Sequence, residues 1–278
     1  MSDDQPPLLT GDQLARLGDL LHRWTGMIFG EKKRYYVERR VAERMRRTAS
    51  PEVDEYLTTL LHDTAERRSL INAFTVNETY FYRETYQFAA LSNAILPAIA
   101  RTKRPGDLLR IWSMPCSTGE EPYSIAIWLL EHWPLVDAYH VEIVGSDIDS
   151  DAIAAARAGR YGARSLARLP YAARQAYFEP EQQDHYRIIE DLRESVIFRE
   201  ANLIDTASVE ALGRFDVILC RNLLIYFDES ARQRASANLH SALHPGGYLC
   251  LGHSESMARI DDRFTMVRLD DAIVYRRD

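Results

Sequence analysis

With 278 residues and 46% hydrophobic content, the chain can hold one large domain or two unequal ones around packed cores. A net charge of -7 argues against a general nucleic-acid binder, which needs cations to displace counterions from phosphate. No run reaches the length of a membrane span, and the acidic start MSDDQPPLLT reads as neither signal peptide nor anchor, so a cytoplasmic chain without membrane insertion is expected.

Thr10 and Gln13 have the spacing of a capping box, and Leu14, Leu17, Leu21 and Trp24 behind them form an apolar helical stripe broken by Gly26 and Gly30. A second helix is predicted from about Lys32 to Arg47, with Val37, Val41 and Met45 on one face and Arg40, Arg44 and Arg47 along its flank. Between Glu31 and Arg47 eight Lys or Arg stand against three Glu, a local net of +5 in an acidic protein. Such a face is either solvated or a dock for something acidic. Ser50, Pro51 and Glu52 signal a third helix with Pro51 at its first position and Tyr56, Leu57, Leu60 and Leu61 inward. A fourth is expected over 65–74, which completes a small α domain.

The segment FTVNETYFYR, 74–83, places polar Asn77, Thr79 and Arg83 among aromatics; they either solvate a loop or line the edge of a site with Tyr80, Phe81 and Tyr82 as walls. Helical periodicity resumes over 84–99. The stretch LLRIWSMPCSTGEEPYS, 108–124, then reads as strand, loop and helix. Its loop carries only Gly119 where a dinucleotide fingerprint needs three glycines, so a pyrophosphate cradle is not expected. A second strand over 141–146 ends at Asp147 and Asp149, a position where a carboxylate can accept from both ribose hydroxyls. Residues 149–159 read as the next helix, and 170–194 as an inserted hairpin.

Further strands are predicted at 196–198, followed by Asn202 and Leu203; at 215–220, followed by Arg221 and Asn222; and at 246–252. The chain closes on a hairpin, 264–269 with 272–275. Alternating strands and helices imply an α/β, mostly parallel sheet with a terminal antiparallel hairpin, and right-handed crossovers put the strand-end motifs on one edge. Glu120 and Glu121, Asp147, Asn202, and Arg221 with Asn222 fall at the ends of four successive strands, where one ligand could touch them all. Cys116, Cys220 and Cys250 lack C-x-x-C spacing and sit in or beside apolar runs, which predicts buried reduced thiols and no metal site.

Five strings carry a likeness: NETYFYR at 77–83, WSMPCSTGEEPYS at 112–124, SDID at 146–149, CRNLLIYF at 220–227 and GHSE at 252–255. Together they resemble the CheR family of chemotaxis-receptor glutamate methyltransferases, which use S-adenosylmethionine, and the likeness spans the chain. It implies a class I methyltransferase, Rossmann-like fold behind an all-α domain. The expected divisions are 1–75 as the receptor-docking domain, 76–107 as a linker and cofactor-site segment, and 108–278 as the cofactor-binding domain, with 170–195 a small β insertion. The resemblance assigns Asn77, Thr79, Arg83, Glu121, Asp147, Asn202, Leu203, Arg221 and Asn222 to the cofactor, and Arg83 and Tyr226 to the transfer itself. Met114, Pro115 and Cys116 depart from the smaller residues expected in that loop.

The implied substrate is a receptor glutamate, ionised near neutrality because its pKa is about 4.3, so no general base is required. Positioning should then supply most of the catalysis. Glutamate-rich receptor helices would be drawn to the basic helix through Arg40, Arg44 and Arg47. Some members grip a receptor C-terminal pentapeptide through a glycine-containing turn of the insertion. The corresponding stretch here, 178–185, has no glycine, and a tether-free, monomeric enzyme is expected. The rival readings are a class I methyltransferase acting on another substrate and a receptor-binding module without activity.

Overall fold

The computed structural model describes residues 9–29 and 31–278; the helix break expected at Gly30 and the acidic start of the chain lie outside the described residues. Contacts divide the chain into two compact units, one of residues 1–76 with 226–232, the other of 77–225 with 233–278.

The first unit is helical: α1 (Gly11–Thr25), a 3-10 turn (Glu31–Lys33), α2 (Arg34–Thr48), α3 (Val53–His62) and α4 (Thr64–Phe74). The Thr10 and Gln13 capping box forms in both directions, and Gly26 ends α1 in the left-handed conformation. Leu14, Leu17, Leu21, Val37, Val41, Met45, Tyr56, Leu57, Leu60, Leu70 and Phe74 form one core. Asp63 alone joins α3 to α4, its carboxylate accepting from the Ala65 and Glu66 amides at 2.9 and 3.0 Å.

Two details of α3 differ from expectation. The helix starts at Val53, with Glu52 rather than Ser50 at the cap, so Pro51 lies outside it. Leu61 is 50% exposed, because it lies about 100° around the helix from Leu60 and leaves the buried stripe.

The flank of α2 is also spent differently. Arg44 donates Nε to Glu66 Oε1 at 3.0 Å and a second hydrogen bond to Glu66 Oε2, and the Tyr56 hydroxyl donates to the same carboxylate at 2.7 Å. Burial, with the Glu66 charge, pushes the Tyr56 hydroxyl pKa up. Arg40 donates to the Ala73 carbonyl and lies 3.4 Å over the Tyr36 ring. Arg47 is exposed, as are Arg39 and Arg46.

The second unit begins with a helix built of α5 (Thr85–Ala90), a π segment (Leu91–Ile95) and α6 (Leu96–Ala100). Of the expected linker and cofactor-site segment, 76–107, residues 77–107 cluster with this unit, and Phe88, Leu91, Ile95, Leu96 and Ile99 enter its core. There follow β1 (Leu108–Ser113), α7 (Glu120–His132), β2 (His140–Asp147), α8 (Ser150–Ala158), β3 (Arg160–Gly162), α9 (Tyr171–Tyr177), β4 (Phe178–Pro180), β5 (His185–Ile188), α10 (Glu190–Glu194), β6 (Val196–Glu200), α11 (Thr206–Glu210), β7 (Phe215–Cys220), α12 (Glu229–Ala242), β8 (Leu243–Leu251), β9 (Phe264–Arg268) and β10 (Ile273–Arg277).

Seven strands form one sheet in the order β6-β2-β1-β7-β8-β10-β9. Neighbours from β6 to β8 pair in parallel, while β10 is antiparallel to both β8 and β9. The chain steps from β1 outward to β2 and β6, then returns to continue on the other side with β7 and β8. That reversal, between β1 and β7, is where open α/β sheets bind ligands.

The insertion is a three-stranded antiparallel sheet, β3-β5-β4, rather than a hairpin, since Arg160–Gly162 pairs with β5. At its turn Gln183 and Asp184 take left-handed backbone angles, φ 59 and 57, that glycine would adopt without steric cost. Phe81 and Tyr82 are core residues, not site walls: Phe81 packs edge-on against Tyr161 and Phe178, and Tyr82 against Trp128. Cys116, Cys220 and Cys250 are buried free thiols.

The Arg44 and Glu66 pair tests this account of α2. Glu66→Ala leaves a largely buried guanidinium unpaired and should cost about 3 kcal/mol. A thermal melt should fall by several degrees, whereas the exposed control Arg47→Ala should melt with the parent.

Candidate functional site

The carboxyl ends of β6, β2, β1, β7 and β8 follow one another along one edge of the sheet, and polar residues occupy the turn after each. After β1, the amide of Met114 is held by the Leu219 carbonyl and that of Cys116 by the Ser146 carbonyl, both at the ends of neighbouring strands. The loop is therefore stitched to β7 on one side and β2 on the other. Gly119 closes it at φ 96, where an added Cβ would lie 2.9 Å from the Ala156 side chain. Lack of room and backbone angle together require glycine there.

Asp147, at the end of β2, is 4% exposed. Its two oxygens accept the Ser117 amide at 2.8 Å and the Asp149 amide at 3.0 Å. Burial pushes its pKa up to about 6, against the opposing pull of those amides. The Ile148 amide also lowers its pKa, and the carboxylate's remaining lone-pair capacity can accept from a ligand hydroxyl. Asn77 joins this cluster, donating to Asp149 at 2.7 Å and accepting from the Ser117 hydroxyl at 3.1 Å. Asp149 also caps α8 through the Asp151 and Ala152 amides.

At the reversal between β1 and β7 stands Arg221, whose side chain is 2% exposed. Its guanidinium reaches Glu121 at 2.5 Å, Glu84 at 2.9 Å and the Arg83 carbonyl at 2.9 Å. Burial opposes its charge, yet Glu121 and Glu84 outweigh that penalty and its pKa is raised. Glu121 also accepts from the Ser113 hydroxyl at 2.8 Å, so both of its oxygens are already engaged. Glu84 further meets His253 at 2.8 Å; burial would raise its pKa, but Arg221 prevails and lowers it. Glu120 points elsewhere, to the Thr118 and Ser165 hydroxyls, and burial raises its pKa.

Asn222 follows Arg221 in the left-handed region, φ 58, and its amide donates to Glu255 at 2.7 Å. Beyond β6, the Asn202 amide donates to the Ser208 hydroxyl and its side-chain oxygen accepts from the Ile204 amide. Leu203 is buried, its carbonyl accepting from Asn238 at 2.8 Å. Thr79 and Arg83 are half-buried; the Arg83 guanidinium donates to the Glu78 carbonyl and faces the Tyr80 ring at 5.8 Å.

Nine of the ten residues assigned to cofactor or transfer thus belong to the second unit. Tyr226 clusters with the first, where its carbonyl accepts from the Ile28 amide at 3.3 Å and its ring lies 6.0 Å from Lys33 Nζ. The sequence reading did not single out Glu84, Ser117 or Glu255. Glu84 directly follows the NETYFYR string and Glu255 ends GHSE, so adjacency to recognised strings was the available signal.

Residues 77–273 match the CheR methyltransferase SAM binding domain, and residues 12–75 match the CheR methyltransferase all-alpha domain. The chain belongs to the CheR methyltransferase family. It is 44% identical over 96% of its length to chemotaxis protein methyltransferase 2 of Vibrio cholerae serotype O1, of which it covers 93%. It is also 35% identical over 90% of its length to a chemotaxis protein methyltransferase of Vibrio parahaemolyticus, covering 91% of that protein. The fold is accordingly that of a class I SAM methyltransferase behind the family's small all-α domain.

S-adenosylmethionine, the family's methyl donor, finds matching chemistry here. Asp147 offers hydroxyl acceptors, and Glu121 and Glu84 against one Arg221 leave a formal negative charge at the reversal, suited to a sulfonium cation. Among the described residues no group of three or more His, Cys, Asp or Glu is placed to hold a metal ion, and no helix is long and apolar enough to cross a membrane.

Asp147 gives a pH signature. Its folded-state pKa lies above the ordinary 3.8, so its contribution to stability is full below about pH 4 and is lost as pH rises through about 6. Asp147→Asn removes that dependence. The melting temperature of the variant relative to the parent should therefore rise between pH 4 and 7; a difference independent of pH would refute the assignment.

Proposed function

We propose that this chain transfers a methyl group from S-adenosylmethionine to side-chain carboxylates of glutamates in the cytoplasmic region of chemoreceptors, releasing S-adenosylhomocysteine. The observation that carries this reading is the near full-length likeness to chemotaxis protein methyltransferases, joined to polar residues on consecutive strand ends. The site of action is then the cytoplasm, and the effect is on receptor signalling.

The methyl donor, when bound, supplies an electrophilic methyl on a positively charged sulfur. Asp147 accepts from its ribose hydroxyls, Glu121 faces its cationic portion, and Asn77, Thr79, Asn202, Leu203, Arg221 and Asn222 complete the cofactor site. The attacking group is a carboxylate already ionised near neutrality, so no residue has to remove a proton. Alignment is what remains for the protein to provide. Arg83, whose backbone carbonyl is tied to Arg221, orients the incoming carboxylate through a forked pair of hydrogen bonds. Tyr226 aims the carboxylate oxygen with its hydroxyl.

Incubation with methyl-labelled S-adenosylmethionine and a receptor cytoplasmic fragment should give a base-labile label on glutamate. A base-stable product would indicate another acceptor. Because the β4–β5 turn lacks glycine, a fragment lacking its C-terminal tail should be methylated as fast as one carrying it. Tyr226→Phe and Arg83→Ala should each lower kcat by about tenfold or more, equivalent to ~1.4 kcal/mol. Full turnover by both variants with normal cofactor affinity would reject these roles.

The positive helix α2 receives the acidic receptor segment. Arg40, Arg44 and Arg47 all contribute to its potential, but Arg40 and Arg44 also hold the unit together, so exposed Arg39 and Arg47 are the informative positions. The double variant Arg39→Glu/Arg47→Glu should raise the KM for receptor by about tenfold at low salt, with a smaller effect as salt screens the interaction. S-adenosylhomocysteine affinity should not change.

A further inference from the structure

The last paired residues of β7 and β8 are Cys220 and Leu251. Beyond that pair the ladder stops, and the amides of Asn222 and Gly252 need another acceptor. One carboxylate oxygen serves both: Glu255 Oε2 accepts from Asn222 at 2.7 Å and from Gly252 at 2.9 Å. Glu255 is brought there by a tight turn in which its own amide donates to the Gly252 carbonyl at 2.9 Å. The carboxylate therefore closes two neighbouring strand ends at once.

Closing those ends constrains Asn222. Its backbone stands in the left-handed region, which asparagine tolerates better than most residues but does not prefer. The hydrogen bond from its amide to Glu255 favours that conformation over extended alternatives. The side chain lies against the same place: an added Cβ on Gly252 would lie 2.9 Å from Asn222 Nδ2, 3.0 Å from Asn222 N and 2.7 Å from Glu255 Oε2. Asn222 thus folds back over Gly252, and a side chain at residue 252 would displace both the Asn222 amide and the carboxylate that holds it.

We propose that Glu255 is a positioning residue for the methyl-transfer site, fixing Asn222 so that its side-chain amide is presented to the methyl donor, and that residue 252 is glycine because any Cβ would undo this arrangement. The inference rests on the reading of Asn222 as a cofactor contact. Glu255 itself touches no ligand in this account. What it supplies is an acceptor oxygen at one place, not a charge, which separates it from Glu121 and Glu84 around Arg221.

That distinction makes the proposal testable with S-adenosylhomocysteine as the probe, titrated calorimetrically into the full chain. Glu255→Ala should weaken binding by about tenfold or more, the scale of a lost charge-assisted hydrogen bond. Glu255→Gln keeps a carbonyl oxygen for the two amides and should bind within about threefold of the parent. Gly252→Ala should weaken binding as Glu255→Ala does, and Glu255→Gln should not restore it in that background. Asn222→Ala run in parallel separates the two layers of the argument.

If Asn222→Ala loses affinity while Glu255→Ala and Gly252→Ala do not, the cofactor reading stands and the positioning role is wrong. If Asn222→Ala binds normally, the reading of Asn222 fails and the proposal falls with it. If Glu255→Gln is as weak as Glu255→Ala, the charge acts in its own right and positioning is refuted. Should Glu255→Ala not melt cooperatively, Gly252→Ala carries the same comparison without removing the carboxylate.

Discussion

The buried guanidinium of Arg221 is the constraint on which the site depends. A cation that is 2% exposed is tolerated only where opposite charges and hydrogen bonds replace water. Glu121, Glu84 and the Arg83 carbonyl do so, and they come from two different stretches of chain, both far from Arg221 in sequence. One ion cluster thereby fixes the end of β7 against the first turn of α7 and against the segment that leads into α5. Those are the parts on either side of the reversal in strand order, where the fold itself leaves a crevice.

The same cluster sets the electrostatics. Two carboxylates compensate one guanidinium and leave a negative remainder. On the other side of β1, Asp147 is a buried acid whose pKa burial pushes up to about 6. A cation that also carries vicinal hydroxyls satisfies both demands at once. On the proposed reading of the site, the loop after β1 needs no glycine-rich phosphate cradle because S-adenosylmethionine brings no pyrophosphate.

Local patterns were legible in the sequence because their causes are local. The Thr10 and Gln13 capping box, the α1 stripe and the strand, loop and helix over 108–124 are each decided within a few residues. Strand ends carrying Asp147 and Arg221 could be placed for the same reason. Long-range pairings could not. β3 is three residues long and pairs with β5 across an intervening helix, so nothing in its own residues marks it as a strand. The Arg-rich flank of α2 reads in sequence as a face open to solvent or to an acidic partner, yet Glu66, 22 residues after Arg44, claims that side chain. Glu84 and Glu255 are ordinary acids until the fold brings Arg221 and Asn222 to them. The polar neighbours of Phe81 and Tyr82 leave site walls open as one alternative in the sequence, whereas a turn directs both rings into the core.

The central claim is that a single ligand spans the carboxyl edge of the sheet from β6 to β7. Hydrogen–deuterium exchange of the full chain with and without S-adenosylhomocysteine tests it most directly. The account predicts slowed exchange at 114–121, 147–150, 202–204 and 221–224 together. Slowing confined to other regions, such as the β3-β5-β4 sheet, or limited to one of these four stretches, would contradict it.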